Sequence, residues 1–163
     1  MPLLVRYPRE VAPGTSTGAM ALNVDFAATF LDLAGVPVPA RMQGHSLRPL
    51  LRGERPAGWR TSMYYRYWEH LDGSHHVPAH YGVRTATHKL IHYPGDGLGV
   101  PGASATRTEP EWELFDLVRD PAELTDRYAD PAYADLRGEL TGELQRLRRE
   151  LGDEPWAGSR QDG

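Results

Sequence analysis

Tyr81-Gly82-Val83-Arg84-Thr85-Ala86-Thr87-His88-Lys89-Leu90-Ile91-His92-Tyr93 is the stretch on which the reading of the whole chain turns. Tyr81 and Val83 alternate with Gly82 and Arg84, the period-two pattern of a half-buried strand. Leu90, Ile91 and Tyr93 make a second β-prone run. The polar break Ala86-Thr87-His88 between the runs is short enough for a hairpin. A hairpin alone is marginal in water, so its neighbours must supply further strands or a covering helix.

Downstream, residues 94–110 are rich in Gly and Pro and read as a long, mobile surface loop. Glu111-Trp112-Glu113-Leu114-Phe115-Asp116-Leu117 alternates again and predicts another strand. Asp120-Pro121-Ala122-Glu123-Leu124 reads as an N-cap with proline at the first helical position. Tyr133, Leu136, Leu140, Leu144, Leu147 and Leu151 then recur at spacings of three and four. They predict one long amphipathic helix whose apolar stripe is core rather than a zipper. The tail after Pro155 is expected to fray.

Upstream, Met63-Tyr64-Tyr65-Arg66-Tyr67-Trp68 is aromatic and β-prone, and the loop Leu71–Pro78 carries His75 and His76. The breaker-rich run 52–58 marks a boundary. Before it, residues 22–35 read as a helix with Leu22, Phe26, Phe30 and Leu33 on one stripe. Asn23 is its expected N-cap and Gly35 its stop. Gln43–Leu51 predicts a turn leading into one or two helical turns. Leu3-Leu4-Val5 reads as a strand buried on both faces, as in a parallel sheet. The fold class is therefore α+β: an antiparallel sheet with a long C-terminal covering helix, preceded by a strand–helix remnant. The units run 1–52 and 53–163.

With 163 residues, 40% apolar and 25% charged, the chain has the composition of an ordinary globular protein with a core of its own. A net charge of −4 and a pI near 6.0 argue against nucleic acid or an anionic membrane as partner. The chain has no cysteine, which excludes disulfides, thiolate zinc sites and cysteine nucleophiles. No apolar run approaches a membrane span, and the first residues are too short a run for a secretory signal. As written, with Met1 as its start, the chain reads as cytoplasmic.

His70, His75, His76, His80, His88 and His92 fall close together. They sit in mixed loop and strand contexts, so surface or substrate-contacting roles are favoured over a metal centre. Arg84 has two readings that the sequence leaves open. Its planar fork suits a sulfate, phosphate or carboxylate, and it equally suits a salt bridge to Glu69 or Glu113. Asp25, Asp32, Asp116 and Asp120 are better explained by local structure than by acid chemistry. There is no Gly-x-Ser-x-Gly, no phosphate-cradling glycine loop and no His-Glu-x-x-His.

The ordered blocks nevertheless resemble one family. Met1–Pro8, then Asn23–Gly35, then Met42–Leu51 look like the C-terminal third of a type I, formylglycine-dependent sulfatase. Tyr81–Arg84, Lys89–Tyr93, Trp112–Leu117 and Asp120–Glu123 continue the match to about residue 152. The run His75-x-Val77-x-x-His80-Tyr81-Gly82 is most similar to the N-acetylglucosamine-6-sulfatase and mucin-desulfating branch. The resemblance implies that residues 1–52 close an alkaline-phosphatase-like α/β catalytic domain and that 53–163 form the small C-terminal subdomain. It implies a parent that hydrolyses sulfate esters on sulfated amino sugars or glycans, using calcium and a formylglycine. No cysteine is present and no serine lies in a Cys/Ser-x-Pro-x-Arg motif, so the chain itself carries no catalytic residue, metal ligand or cofactor of that kind and is expected to be inactive alone. The residues the resemblance places toward a sulfated carbohydrate are His75, His80 and Arg84. Two other classes stay open: a non-catalytic glycan- or partner-binding module, and part of a related phosphodiesterase or phosphonate hydrolase.

Overall fold

The computed structural model describes residues 3–97, 100 and 103–153; the expected fraying after Pro155 lies outside them. The chain divides into two compact units between Thr61 and Ser62, later than the breaker-rich run read as a boundary. Trp59 and Arg60 belong with the first unit because both bond back into it. The Trp59 indole N–H donates to the Met20 carbonyl at 3.0 Å.

The first unit holds helix α1 (Asp25–Leu33) and the single-turn helix α2 (Arg48–Leu51). Its centre is polar. The fully buried Asp25 carboxylate accepts the Leu22 and His45 backbone N–H groups at 2.7 and 2.9 Å and both arms of the Arg60 guanidinium at 2.5 and 2.8 Å. Burial alone would raise its pKa, but Arg60 and the two backbone donors outweigh that and hold it below the usual carboxylate range. Thr29, one turn on, donates to the Asp25 carbonyl at 2.7 Å and accepts the Leu47 N–H at 2.8 Å. Gly44 passes so close to α1 that a Cβ there would lie 1.9 Å from the Val24 carbonyl oxygen, so only glycine fits.

Three expectations for this unit are corrected. Leu3-Leu4-Val5 is not a strand. Leu4 is 92% exposed, and no strand of the first unit lies among the described residues to pair with it. Helix α1 does not bury the Phe stripe: Asp25, Ala28 and Thr29 face inward while Phe30 is 68% exposed. The hydrogen bonds to Arg60 and Leu47 turn the polar side in. Val24 rather than Asn23 takes the N-cap position, and it gives no side-chain cap bond. The helical turn within Gln43–Leu51 is present as α2.

The second unit is the expected α+β module. Four antiparallel strands, β1 (Ser62–Tyr67), β2 (His80–Thr85), β3 (His88–Tyr93) and β4 (Glu111–Asp116), lie side by side in chain order. The register aligns Tyr64, Val83, Leu90 and Leu114 across the sheet. These residues meet Leu140 and Leu144 of helix α3 (Ala134–Leu151), with Tyr81, Trp112, Leu136 and Leu147 packed around them. The leucine stripe thus becomes the core, each buried leucine contributing about 2–3 kcal/mol by removal from water. Gly152, with φ +67°, ends α3 in the left-handed cap that glycine favours. Just beyond it Asp153 receives the Tyr64 hydroxyl and the Arg66 guanidinium, fastening the end of α3 to β1.

One connection differs from expectation. Asp120–Leu124 is not helical: the Asp120 carboxylate accepts the Leu124 and Thr125 N–H groups at 2.7 and 2.8 Å, and Glu123 sits at φ +56° to reach Lys89. A tight loop competes with the helix for the same capping chemistry. The described part of 94–110 is the expected loop, exposed over 105–110, but it is anchored at its start, where Gly95 and Gly97 are buried and Thr108 N–H bonds to the Gly95 carbonyl at 2.8 Å. No described helix is long and apolar enough to cross a membrane.

Candidate functional site

Side chains alternate across the strands, so the residues of β2 separate by parity. Tyr81 and Val83 face α3, which places His80, Gly82 and Arg84 on the opposite face. On β1 the same parity brings Tyr65 and Tyr67 beside them, through the pairs Tyr65–Gly82 and Tyr67–His80. Gly82 makes room for this. A Cβ at that position would sit 2.7 Å from the Tyr65 hydroxyl, which lies across it.

The His80 ring stacks on Tyr67 at 5.5 Å and meets Tyr93 at 5.3 Å and Tyr65 at 6.1 Å. Its Nδ1 lies 2.9 Å from the Pro78 carbonyl, which can only accept, so Nδ1 carries a proton. The Tyr65 and Tyr67 hydroxyls are buried with no hydrogen-bond partner among the described residues. Burial pushes both phenols up, and the charges of Asp72 and Glu69 add to this at Tyr67. Arg84 is exposed and forms no ion pair or side-chain hydrogen bond among the described residues. The salt bridge to Glu69 or Glu113 is therefore not made, and Glu113 accepts the Tyr93 hydroxyl at 2.8 Å instead.

The loop between β1 and β2 carries the other predicted residue. It is closed by Leu71 N–H to the Val77 carbonyl at 2.9 Å, and Leu71 and His76 hold φ of +46° and +51°. Inside it, the Asp72 carboxylate accepts the His75 backbone N–H at 3.0 Å and meets its Nδ1 at 3.1 Å. The His75 side chain is 64% exposed. His70, grouped with the others by sequence, plays a different part. It is fully buried, Nδ1 accepting the Ala79 N–H at 3.1 Å and Nε2 donating to the Thr106 carbonyl at 2.9 Å. It ties the His75 loop to the 94–110 segment. His92 is half-buried between Tyr81 and Trp112, on the α3 side.

So His80 and Arg84 share one sheet face with Tyr65, Tyr67 and Tyr93, and His75 projects from the loop that leads into it. Sequence reasoning named the two histidines and Arg84 and missed the tyrosines and Asp72. The alternation in Met63–Trp68 held the signal for Tyr65 and Tyr67, and the spacing Asp72-x-x-His75 held it for the pair. These groups are ring faces, acceptors and one guanidinium without an ion pair among the described residues. Glu69, Asp72 and His75 bring one ligand atom each within 4.8 Å of one another. Calcium wants six to eight oxygens, so this set does not fit it. Nor does the sequence hold a cysteine or motif serine from which formylglycine is made.

A four-strand antiparallel sheet closed by one long helix is an architecture this chain shares with known proteins. The chain matches the family described as N-sulphoglucosamine sulphohydrolase, C-terminal, over residues 1–150, and it belongs to that family. It is 40% identical to an N-acetylglucosamine-6-O-sulfatase of Bacteroides thetaiotaomicron over 94% of this chain and 25% of that protein. Arylsulfatase K of Gallus gallus is 35% identical over 77% of this chain and 22% of its own length. Among solved structures, one determined in complex with its substrate D-glucosamine-2-N,6-O-disulfate superposes with a TM-score of 0.81 at 37% identity, over 96% of this chain and 29% of that one. The phosphonate monoester hydrolase of Agrobacterium radiobacter gives 0.59 at 25% identity, over 78% of this chain and 24% of that one. The chain spans about a quarter of the length of these two sulfatase relatives.

Proposed function

We propose that this chain is the substrate-facing C-terminal part of a sulfatase that hydrolyses sulfate esters on sulfated amino sugars. The first unit then completes the large α/β domain, and the second forms the small subdomain. In this reading the formylglycine and calcium are held by the catalytic part of the parent, and no residue of this chain stands in for them. The single observation that carries the reading is the sheet face opposite α3, which sets His80 and an exposed Arg84 beside three tyrosines, in a chain 40% identical to an N-acetylglucosamine-6-O-sulfatase. Tyrosine and imidazole faces suit the C–H face of a pyranose, and an unpaired guanidinium suits a sulfate or carboxylate. His75, His80 and Arg84 then contact the sugar or its sulfate.

A chimera tests it: this chain in place of the matching quarter of the Bacteroides relative, assayed on glucosamine 6-sulfate. His80→Ala and Arg84→Ala are expected to lower kcat/KM about tenfold or more, the loss of a charge-assisted or buried hydrogen bond. Unchanged kcat/KM in both variants would end the reading. The lower similarity to the phosphonate hydrolase, 25% against 37%, favours the sulfate ester over a phosphonate.

A further inference from the structure

The His75 side chain is 64% exposed, and its chemistry is set by a residue that touches no substrate. We infer that Asp72 is a positioning residue that fixes the His75 imidazole so that Nε2 accepts a hydrogen bond from a hydroxyl or amine N–H of the amino sugar, and does not bind its sulfate. The inference rests on the proposed function and names which part of the substrate this loop takes.

The argument starts from donors and acceptors. An ionised carboxylate only accepts. Asp72 has its pKa held below the usual carboxylate range: burial opposes this, but the bonds from His75 and Ser74 win. It is therefore charged near neutrality, and the nitrogen 3.1 Å from Oδ2 must carry the proton. In a neutral imidazole that leaves a lone pair on Nε2. A lone pair needs a donor, and a sulfate oxygen has none to give. The surroundings point the same way. Glu69 joins Asp72 and His75 within a 4.8 Å set, and both acids bear on the Tyr67 phenol, so the lobe is electronegative and repels an anion. Arg84, on the sheet face, forms no ion pair or side-chain hydrogen bond among the described residues; Glu113 and Glu123 bear on the neighbouring Tyr65 phenol, but Glu113 is bonded by the Tyr93 hydroxyl and Glu123 is neutralised by Lys89. The site is thus divided: donor groups of the sugar toward the loop, anionic groups toward Arg84. The loop is held for this task. Asp72 also accepts the His75 backbone N–H, and the left-handed, strained Leu71 and His76 bracket the turn.

Asp72→Asn separates this role from a structural one. The side-chain oxygen of Asn keeps the backbone bond to His75, while its amide N–H now faces Nδ1 and donates to it, losing only the long 3.4 Å bond from the Ser74 N–H. The loop is retained and the tautomer reverses, turning Nε2 from acceptor to donor. Long-range proton–nitrogen spectra of the 163-residue chain at about pH 8, where imidazole is neutral, read the tautomer directly. His75 is identified by the signals that His75→Gln removes. Wild type is expected to carry its proton on Nδ1, and Asp72→Asn on Nε2. In the chimera, with glucosamine 6-sulfate as the probe, Asp72→Asn is expected to raise KM about two- to tenfold with kcat unchanged. A wild-type proton on Nε2, or an Asp72→Asn variant that leaves both tautomer and KM unchanged, overturns the inference. The expected tautomers together with a KM indifferent to His75→Ala would instead remove His75 from the substrate, a failure of the proposed function at that residue.

Discussion

The two units of this chain are held by opposite means. The second is closed by hydrocarbon: Val83, Leu90 and Leu114 from three strands meet Leu140 and Leu144 from one helix, none more than 4% exposed. The first is centred on charge, with Asp25 paired at its middle, Ala28 the only fully buried apolar residue of α1, and Leu47 and Leu50 the leucines buried beside it. It leaves Leu4 and Phe30 in water. An apolar core is tolerant, since any well-shaped hydrocarbon fills it. A buried ion pair fails abruptly when one member is lost, because the other is left unsolvated.

The comparison can be broken most severely at Arg60. Arg60→Ala leaves the Asp25 carboxylate buried and unpaired, and should destabilise the first unit by about 3–5 kcal/mol. Hydrogen exchange at the Leu22, His45 and Leu47 amides, which bond to Asp25 and Thr29, would report the loss. Leu144→Ala opens a cavity under the sheet and should cost the second unit about 2–5 kcal/mol, read from the Val83, Leu90 and Leu114 amides. His70→Ala orphans the Ala79 N–H and the Thr106 carbonyl. A cost of about 1–3 kcal/mol is expected, concentrated in the His75 loop and the segment it is tied to.

A pH effect sharpens the comparison further. Burial, with Arg148 nearby, pushes the His92 pKa below the usual histidine value. The unfolded chain then binds a proton that the folded unit resists. Stability should hold above about pH 6.5 and decline as pH falls below it, through the folded-state pKa. His92→Gln should flatten that decline in a thermal melt series. The smallest effect is expected at Phe30→Ser, within about 0.5 kcal/mol, because that ring is 68% exposed.

The same contrast explains what the sequence could tell. Period two and period three-and-four patterns report hydrocarbon burial, so the sheet, its hairpin and the leucine stripe of α3 were all readable. In the first unit the pattern misled. The Phe26–Phe30 stripe suggested an inward face, yet Asp25 and Thr29 had closer partners in Arg60 and Leu47, residues distant in sequence. Leu3-Leu4-Val5 had the composition of a strand but no strand among the described residues to pair with. Asp120 followed by Pro121 fits a cap and a tight loop equally, and only the pull of Glu123 toward Lys89 distinguishes them. At the candidate site, the parity of β2 was enough to put His80 and Arg84 on one face. What could not be foreseen was which histidine is buried: His70 and His75 lie close together in the chain, and only tertiary hydrogen bonds with Ala79 and Thr106 set them apart.

The most direct test of the account is whether this chain can serve as the C-terminal quarter of an active sulfatase. The Bacteroides N-acetylglucosamine-6-O-sulfatase shortened by its matching segment should lose turnover of glucosamine 6-sulfate. Fused to these residues it should regain it, and Arg84→Ala should take most of it away again. A folded chimera that releases no sulfate, or one indifferent to Arg84 and His80 alike, would contradict the account.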